Sequence, residues 1–210
     1  MATPEQFQSD FARVVSTSFS FLTAEFGFAA IQVEPWLVRY RSDALIVDIY
    51  RDERSSEAGV IVGLDKATTP ESSNMSIGRQ VFEDQYSLDE ILEYRSPKLD
   101  DPGLVGSAFV GSLADANVWL PRLAAALRTY GRDLLTGDAV TYSAMAERRS
   151  RAAHKFMAAE KLSAARRAAQ VAWQLKDYPA VISALEMIRD QLTPVEHKKL
   201  HYALRRTNSR

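Results

Sequence analysis

The sequence predicts an α+β fold: an N-terminal helix with an antiparallel β-meander, followed by an all-helical C-terminal region. Two short runs carry the sheet. In Ala44 to Tyr50, Leu45, Val47 and Ile49 alternate with Ile46, Asp48 and Tyr50. From Ala58 to Leu64, Val60, Val62 and Leu64 alternate with Gly59, Ile61 and Gly63. Period-two spacing of β-branched residues, bounded by Ser42-Asp43 and Asp52-Glu53-Arg54-Ser55, marks half-buried strands joined by polar turns. A sheet with one apolar face needs a cover, and helical patterns on both sides can supply it.

Thr3-Pro4-Glu5-Gln6 reads as a helix start, with threonine capping, proline in the first turn and Gln6 closing a capping box. Phe7, Phe11, Val14, Val15, Ser18, Leu22 and Phe26 then recur at helical intervals, and Gly27 is placed to end the helix in a left-handed conformation. Phe28 to Tyr40 reads as one strand bent at Pro35. Lys66 to Gln80 reads as a long polar loop. Ser87-Leu88-Asp89-Glu90 is a capping box for a short helix through Tyr94, and Pro97 to Gly111 reads as a loop. Ser112 opens a helix to about Leu135, with Trp119, Leu120, Leu123, Leu127, Tyr130 and Leu134 on its buried side. Pro121 should kink that helix or shift its start to about Leu120. Gly137-Asp138 punctuates, and the remainder reads as helix rich in Ala and Arg. The expected division is therefore an acidic α+β module over 1–137 and a basic helical region over 138–210.

Charge is divided as sharply as pattern. The chain is near neutral at −1, yet residues 1–140 hold 12 Lys/Arg against 21 Asp/Glu, and residues 141–210 hold 14 against 6. Those parts carry −9 and +8. Opposite charges point to internal docking or to two surfaces for different partners. The absence of cysteine excludes disulfides, thiolate nucleophiles and Cys-ligated zinc, and fits a reducing, cytoplasmic setting. The N-terminus has no basic region leading into an apolar core, so no signal peptide is expected, and no run approaches the ~18 apolar residues of a membrane span.

The motifs argue against catalysis. Gly106 to Gly111 has the glycine spacing of a phosphate loop, but Ser112 and Leu113 stand where lysine and Ser/Thr are required. His197 and His201 are spaced as metal ligands on a helix, but Lys198 replaces the glutamate of a zinc protease and Lys199 adds charge that repels a cation. No Gly-x-Ser-x-Gly elbow accompanies the histidines. The expectation is a chain that is not an enzyme, with no cofactor and no bound metal. Two charged surfaces remain. Glu83, Asp84, Asp89, Glu90 and Glu93 form an acidic face suited to a partner protein, while Arg148, Arg149, Arg151 and Lys155 form a basic helix face suited to phosphates.

Two resemblances add to this. Ala168, Ala172 and Leu175, then Lys176-Asp177-Tyr178, then Ala180, Ile182, Ala184 and Leu185, closed by Thr193-Pro194, resemble one tetratricopeptide-repeat unit. Pro179 and Trp173 depart from that pattern, and a single unit implies a helical hairpin that packs on something else. Phe21-Leu22, Phe26-Gly27-Phe28, Val38-Arg39-Tyr40, Val47-Asp48-Ile49-Tyr50 and Ser55-Ser56-Glu57 resemble small bacterial immunity-type proteins, which neutralise a partner toxin. Together these imply a non-enzymatic protein-binding module with another protein as partner and self-association as an option. Nucleic-acid binding through residues 147–167 is the alternative, and no membrane partner is expected.

Overall fold

The computed structural model describes residues 4–65, 84–95 and 106–208, with side chains from residue 10 onward. The fold is α+β. Helices α1 (Pro4–Ser18) and α2 (Ser20–Phe26) lead into strands β1 (Ala29–Glu34), β2 (Leu37–Arg41), β3 (Leu45–Arg51) and β4 (Glu57–Leu64). Strand β5 (Gln85–Ser87), helix α3 (Leu88–Arg95) and strand β6 (Ser107–Phe109) follow. Helices α4 (Leu113–Tyr130), α5 (Arg132–Leu135), α6 (Ala139–Leu175), α7 (Tyr178–Glu186) and α8 (Pro194–Asn208) complete the chain, with a short 3₁₀ turn at Arg189–Gln191.

The strands form an antiparallel sheet in the order β1-β2-β3-β4-β5, with β6 also on β4. The alternation in the sequence sets the faces. Val38, Ile49 and Val60 lie in one cross-strand row, and Tyr40, Val47, Val62 and Tyr86 lie in the next. All seven are buried in the core beneath Phe11, Val15, Leu22, Leu120, Leu123 and Leu127. The other face places Arg39 opposite Asp48, where the guanidinium Nε and Nη2 each donate to the carboxylate at 2.7 Å. Asp48 is only 7% exposed, so this pair is the charge-assisted satisfaction of a buried carboxylate.

Several expected boundaries moved, each for a local reason. The N-terminal helix breaks at Phe19, where Leu22 N–H bonds back to the Phe19 carbonyl and tightens the turn. Ser16 and Thr17 hydroxyls donate to the carbonyls of Ala12 and Arg13, a competition that bends helices. Phe19 is fully buried, while Ser18, read as part of the apolar stripe, is only half-buried. Gly27 ends α2 at φ 72° as expected.

The span read as one strand is a hairpin. Glu34 pairs with Leu37 across a two-residue turn at Pro35-Trp36, and Pro35 sits where a ladder N–H is not needed. The loop read over Pro97–Gly111 contains β6, which pairs Ser107, Ala108 and Phe109 with Gly59, Ala58 and Glu57. Three residues are too short to show a period of two. The helix read from Ser112 to Leu135 is interrupted at Gly131, where a Cβ would lie 2.8 Å from the Leu127 carbonyl oxygen. Pro121 stays inside α4 without moving its start. Both it and Asn117, whose carbonyl loses its helical partner, are exposed and open to water. The loop read over Lys66–Gln80 lies outside the described residues.

The chain divides into two compact units, 1–146 and 147–210. By count these hold 12 Lys/Arg against 21 Asp/Glu and 14 against 6, so they carry −9 and +8. The second unit has its own core, in which Ala165, Ala169 and Ala172 of α6 meet Val181, Ala184, Leu185, Ile188, Leu200 and Ala203. In this core the buried α6 positions are all alanines, so the larger buried side chains come from Val181 onward. Lys176, at φ 60°, ends α6 in a Schellman pattern, with its N–H to the Trp173 carbonyl and the Asp177 N–H to that of Ala172. Asp177 then caps α7 through the Ala180 N–H. Thr193 and Glu196 form a reciprocal capping box, so Thr193-Pro194 opens α8. Arg166 ties α6 to α8 through Glu196.

Replacing Arg39→Leu should leave Asp48 buried without its partner and cost about 3 kcal/mol. The double variant Arg39→Leu/Asp48→Leu should recover most of that loss, as read by urea denaturation.

Candidate functional site

Of the expected acidic face, Glu83 lies outside the described residues. Asp84 precedes β5 and its backbone carbonyl accepts the Leu64 N–H at 3.1 Å. Asp89, Glu90 and Glu93 sit on α3, with Asp89 and Glu93 four residues apart on one side. Glu90 and Asp89 each hold local structure. Glu90 accepts from the Ser87 N–H at 3.0 Å while the Ser87 hydroxyl accepts from the Glu90 N–H, closing the expected capping box. Asp89 accepts the Gly106 N–H at 3.1 Å, tying α3 to the segment that enters β6. A Cβ on Gly106 would lie 2.2 Å from the Asp89 backbone nitrogen, so this glycine is required by close packing. Asp89 and Glu93 are exposed on α3.

The expected basic face lies on α6. Arg148 and Arg149 are half-buried, whereas Arg151 and Lys155 are exposed. Helical spacing aligns Arg148, Arg151 and Lys155 with the side of α6 that buries Ala165, Ala169 and Ala172 farther along. Every residue from Ser150 to Lys161 is exposed. That stretch has no packed face, so its helicity depends on strong formers such as Ala152, Ala153, Ala158 and Ala159 and on the anchored ends of α6. Asp138 caps the start, accepting from the Thr141 N–H at 2.9 Å and hydroxyl at 2.6 Å. Those Thr141 contacts, the hydroxyl first, hold the Asp138 carboxyl below its ordinary range.

Three features were not read from the sequence. The first is an exposed apolar side of α6, on which Met157 is 65%, Val171 56% and Leu175 75% exposed. Its signal is present in the spacing, overlapping the repeat-like pattern of Ala168, Ala172 and Leu175. The second is a cluster of Trp173, Tyr178 and Tyr202, with ring centroids 5.5–6.2 Å apart. Lys199 lies over Trp173, and Arg206 lies over Tyr202 and donates to its hydroxyl at 3.0 Å. The Arg206 and Tyr178 hydrogen bonds pull the Tyr202 hydroxyl below its ordinary pKa. The cluster is self-capped by its own cations. The third is an open cleft of about 590 Å³ lined by Gly27, Ala29, Ile31, Arg41, Ser42, Asp43 and Asp65, with the Arg41–Asp65 ion pair in its wall.

His197 and His201 are both exposed on α8, and among the described residues no three His, Asp or Glu side chains gather as metal ligands do. No helix among the described residues is long and apolar enough to cross a membrane. Comparison with protein-family models, curated proteins and solved structures finds no match for this chain.

Ser87→Ala should cost about 1 kcal/mol in urea denaturation by opening the α3 capping box. A second expectation concerns acid. A carboxylate with a lowered folded pKa adds stability above its unfolded pKa of about 3.9 and loses it as pH falls through the folded value. Asp138→Asn should therefore flatten the fall in Tm below about pH 4, as measured by circular dichroism.

Proposed function

We propose that this chain is a protein-binding module that works by surface complementarity rather than by catalysis. The observation that carries the reading is the coincidence of charge with structure: the unit over 1–146 carries −9 and the unit over 147–210 carries +8. Segregated charge of that size speeds encounter with an oppositely charged partner and selects against like-charged ones, while apolar contacts hold the complex. The acidic edge of α3, with Asp89 and Glu93 exposed, offers one such surface. In its sharper form the partner is a toxin with a basic surface, a version that rests on the resemblance to immunity-type proteins. A chain without cysteine suits work in a reducing, cytoplasmic compartment.

The test is an affinity pull-down of the tagged full chain from lysate, with nuclease-treated and untreated arms. Retention of a discrete protein in both arms, weakened by Glu93→Lys and by rising salt, is the expected result. Signal lost on nuclease treatment would transfer the reading to nucleic acid bound through Arg151 and Lys155. Retention unaffected by Glu93→Lys would remove α3 from the interface.

A further inference from the structure

Within the unit over 147–210, helix α6 buries Ala165, Ala169 and Ala172 against α7 and α8. About a quarter-turn round the helix, Ala153, Met157, Ala164, Ala168, Val171 and Leu175 recur at helical intervals, and all six are exposed. From Ala153 to Leu175 the row runs about 33 Å. Met157, Val171 and Leu175 are each more than half exposed. Solitary exposed apolar residues are ordinary, but a periodic row of this length is the pattern of a helix that receives another helix.

The order of residues along the row identifies what it receives. Met157 and Val171 stand seven residues to either side of Ala164, and Ala153 and Leu175 stand eleven to either side. A two-fold axis at Ala164 therefore sets Met157 of one copy against Val171 of the other and Ala153 against Leu175. Small meets large at the ends of the row, and alanine meets alanine at its centre, where two helix backbones come closest. The charges obey the same axis. Glu160 and Arg167 are exposed on one flank of the row. They stand two turns apart, beyond the three- and four-residue spacings at which side chains on one helix meet. A copy running the opposite way keeps that flank against itself and reverses its order. Glu160 of each copy then comes level, within one residue, with Arg167 of the other, and two ion pairs form at once. A parallel copy would instead set Glu160 on Glu160 and Arg167 on Arg167.

The remaining charge does not oppose this pairing. Lys161, on the other flank, falls opposite Ala168 and stays open to water. Helical spacing puts Arg148, Arg151 and Lys155 on the side of α6 away from the row, and the chain as a whole carries only −1. We infer that two copies of this chain pair antiparallel along the exposed row of α6, with Met157 against Val171 and Glu160 against Arg167. This surface is distinct from α3 and needs no other protein.

The experiment is sedimentation equilibrium of the purified full chain over a dilution series. The chain should approach twice its monomer mass by about 100 µM. Met157→Ser/Val171→Ser should weaken association at least about tenfold, because the apolar contact is lost on both copies. Circular dichroism checks that α6 is retained in that variant. Glu160→Arg alone and Arg167→Glu alone should each weaken association about threefold or more, since each sets like charges level across the axis. Mixing these two single variants should restore dimers, and Glu160→Arg/Arg167→Glu in one chain should dimerise as the original does. A chain that is monomeric throughout the series would overturn the inference and leave the row to a helix from another protein. A dimer that survives Met157→Ser/Val171→Ser would overturn it too, as would single charge variants that associate undiminished or whose mixture stays monomeric.

Discussion

The structure of the first unit depends on covering one face of a five-strand meander. Val38, Val47, Ile49, Val60 and Val62 make a continuous apolar surface that is stable only when removed from water. α1 and α4 meet each other and supply Phe11, Val15, Leu120, Leu123 and Leu127 to that surface. The remaining features of the unit follow from holding that cover in place. Phe19 breaks the N-terminal helix so that its ring enters the core, and Gly131 permits the turn that brings Leu134 and Leu135 in behind it. Arg39 and Asp48 then satisfy each other on the far side of the same strands, where an unpaired carboxylate would undermine the sheet.

Helix α6 obeys a different constraint. It contributes Tyr142 and Met145 to the first core and Ala165, Ala169 and Ala172 to the second. From Ser150 to Lys161 it has no packed side, so alanine-rich composition must do what burial does elsewhere. Basic residues are tolerated throughout this stretch because water solvates them on every side. The same freedom leaves Met157 uncovered, and farther along Val171 and Leu175 are exposed beside the side that packs on α7 and α8.

The two charged surfaces thus differ in kind. On α3, Asp89 and Glu90 are engaged in fixing the helix against β6 and its own cap. On α6, charge accompanies an exposed apolar row. The aromatic cluster of Trp173, Tyr178 and Tyr202 is occupied by Lys199 and Arg206 and serves the packing of the helical unit.

Sequence alone determined what depends on near neighbours. The α+β class came from period-two and helical spacing, and the Ser87–Glu90 capping box and the left-handed Gly27 from single-residue chemistry. The charge division came from simple counting. Tertiary structure decided what depends on distant partners. β6 is a strand because Glu57, Ala58 and Gly59 lie beside it, and Pro35 makes a hairpin because Leu37 returns to Glu34. Asp89 bonds to Gly106, seventeen residues away, a contact no local pattern encodes. The exposed row on α6 is the clearest instance. Its spacing was legible, but whether such a row is buried or bare is settled only by which other elements reach it, and on this side none among the described residues of its own unit does.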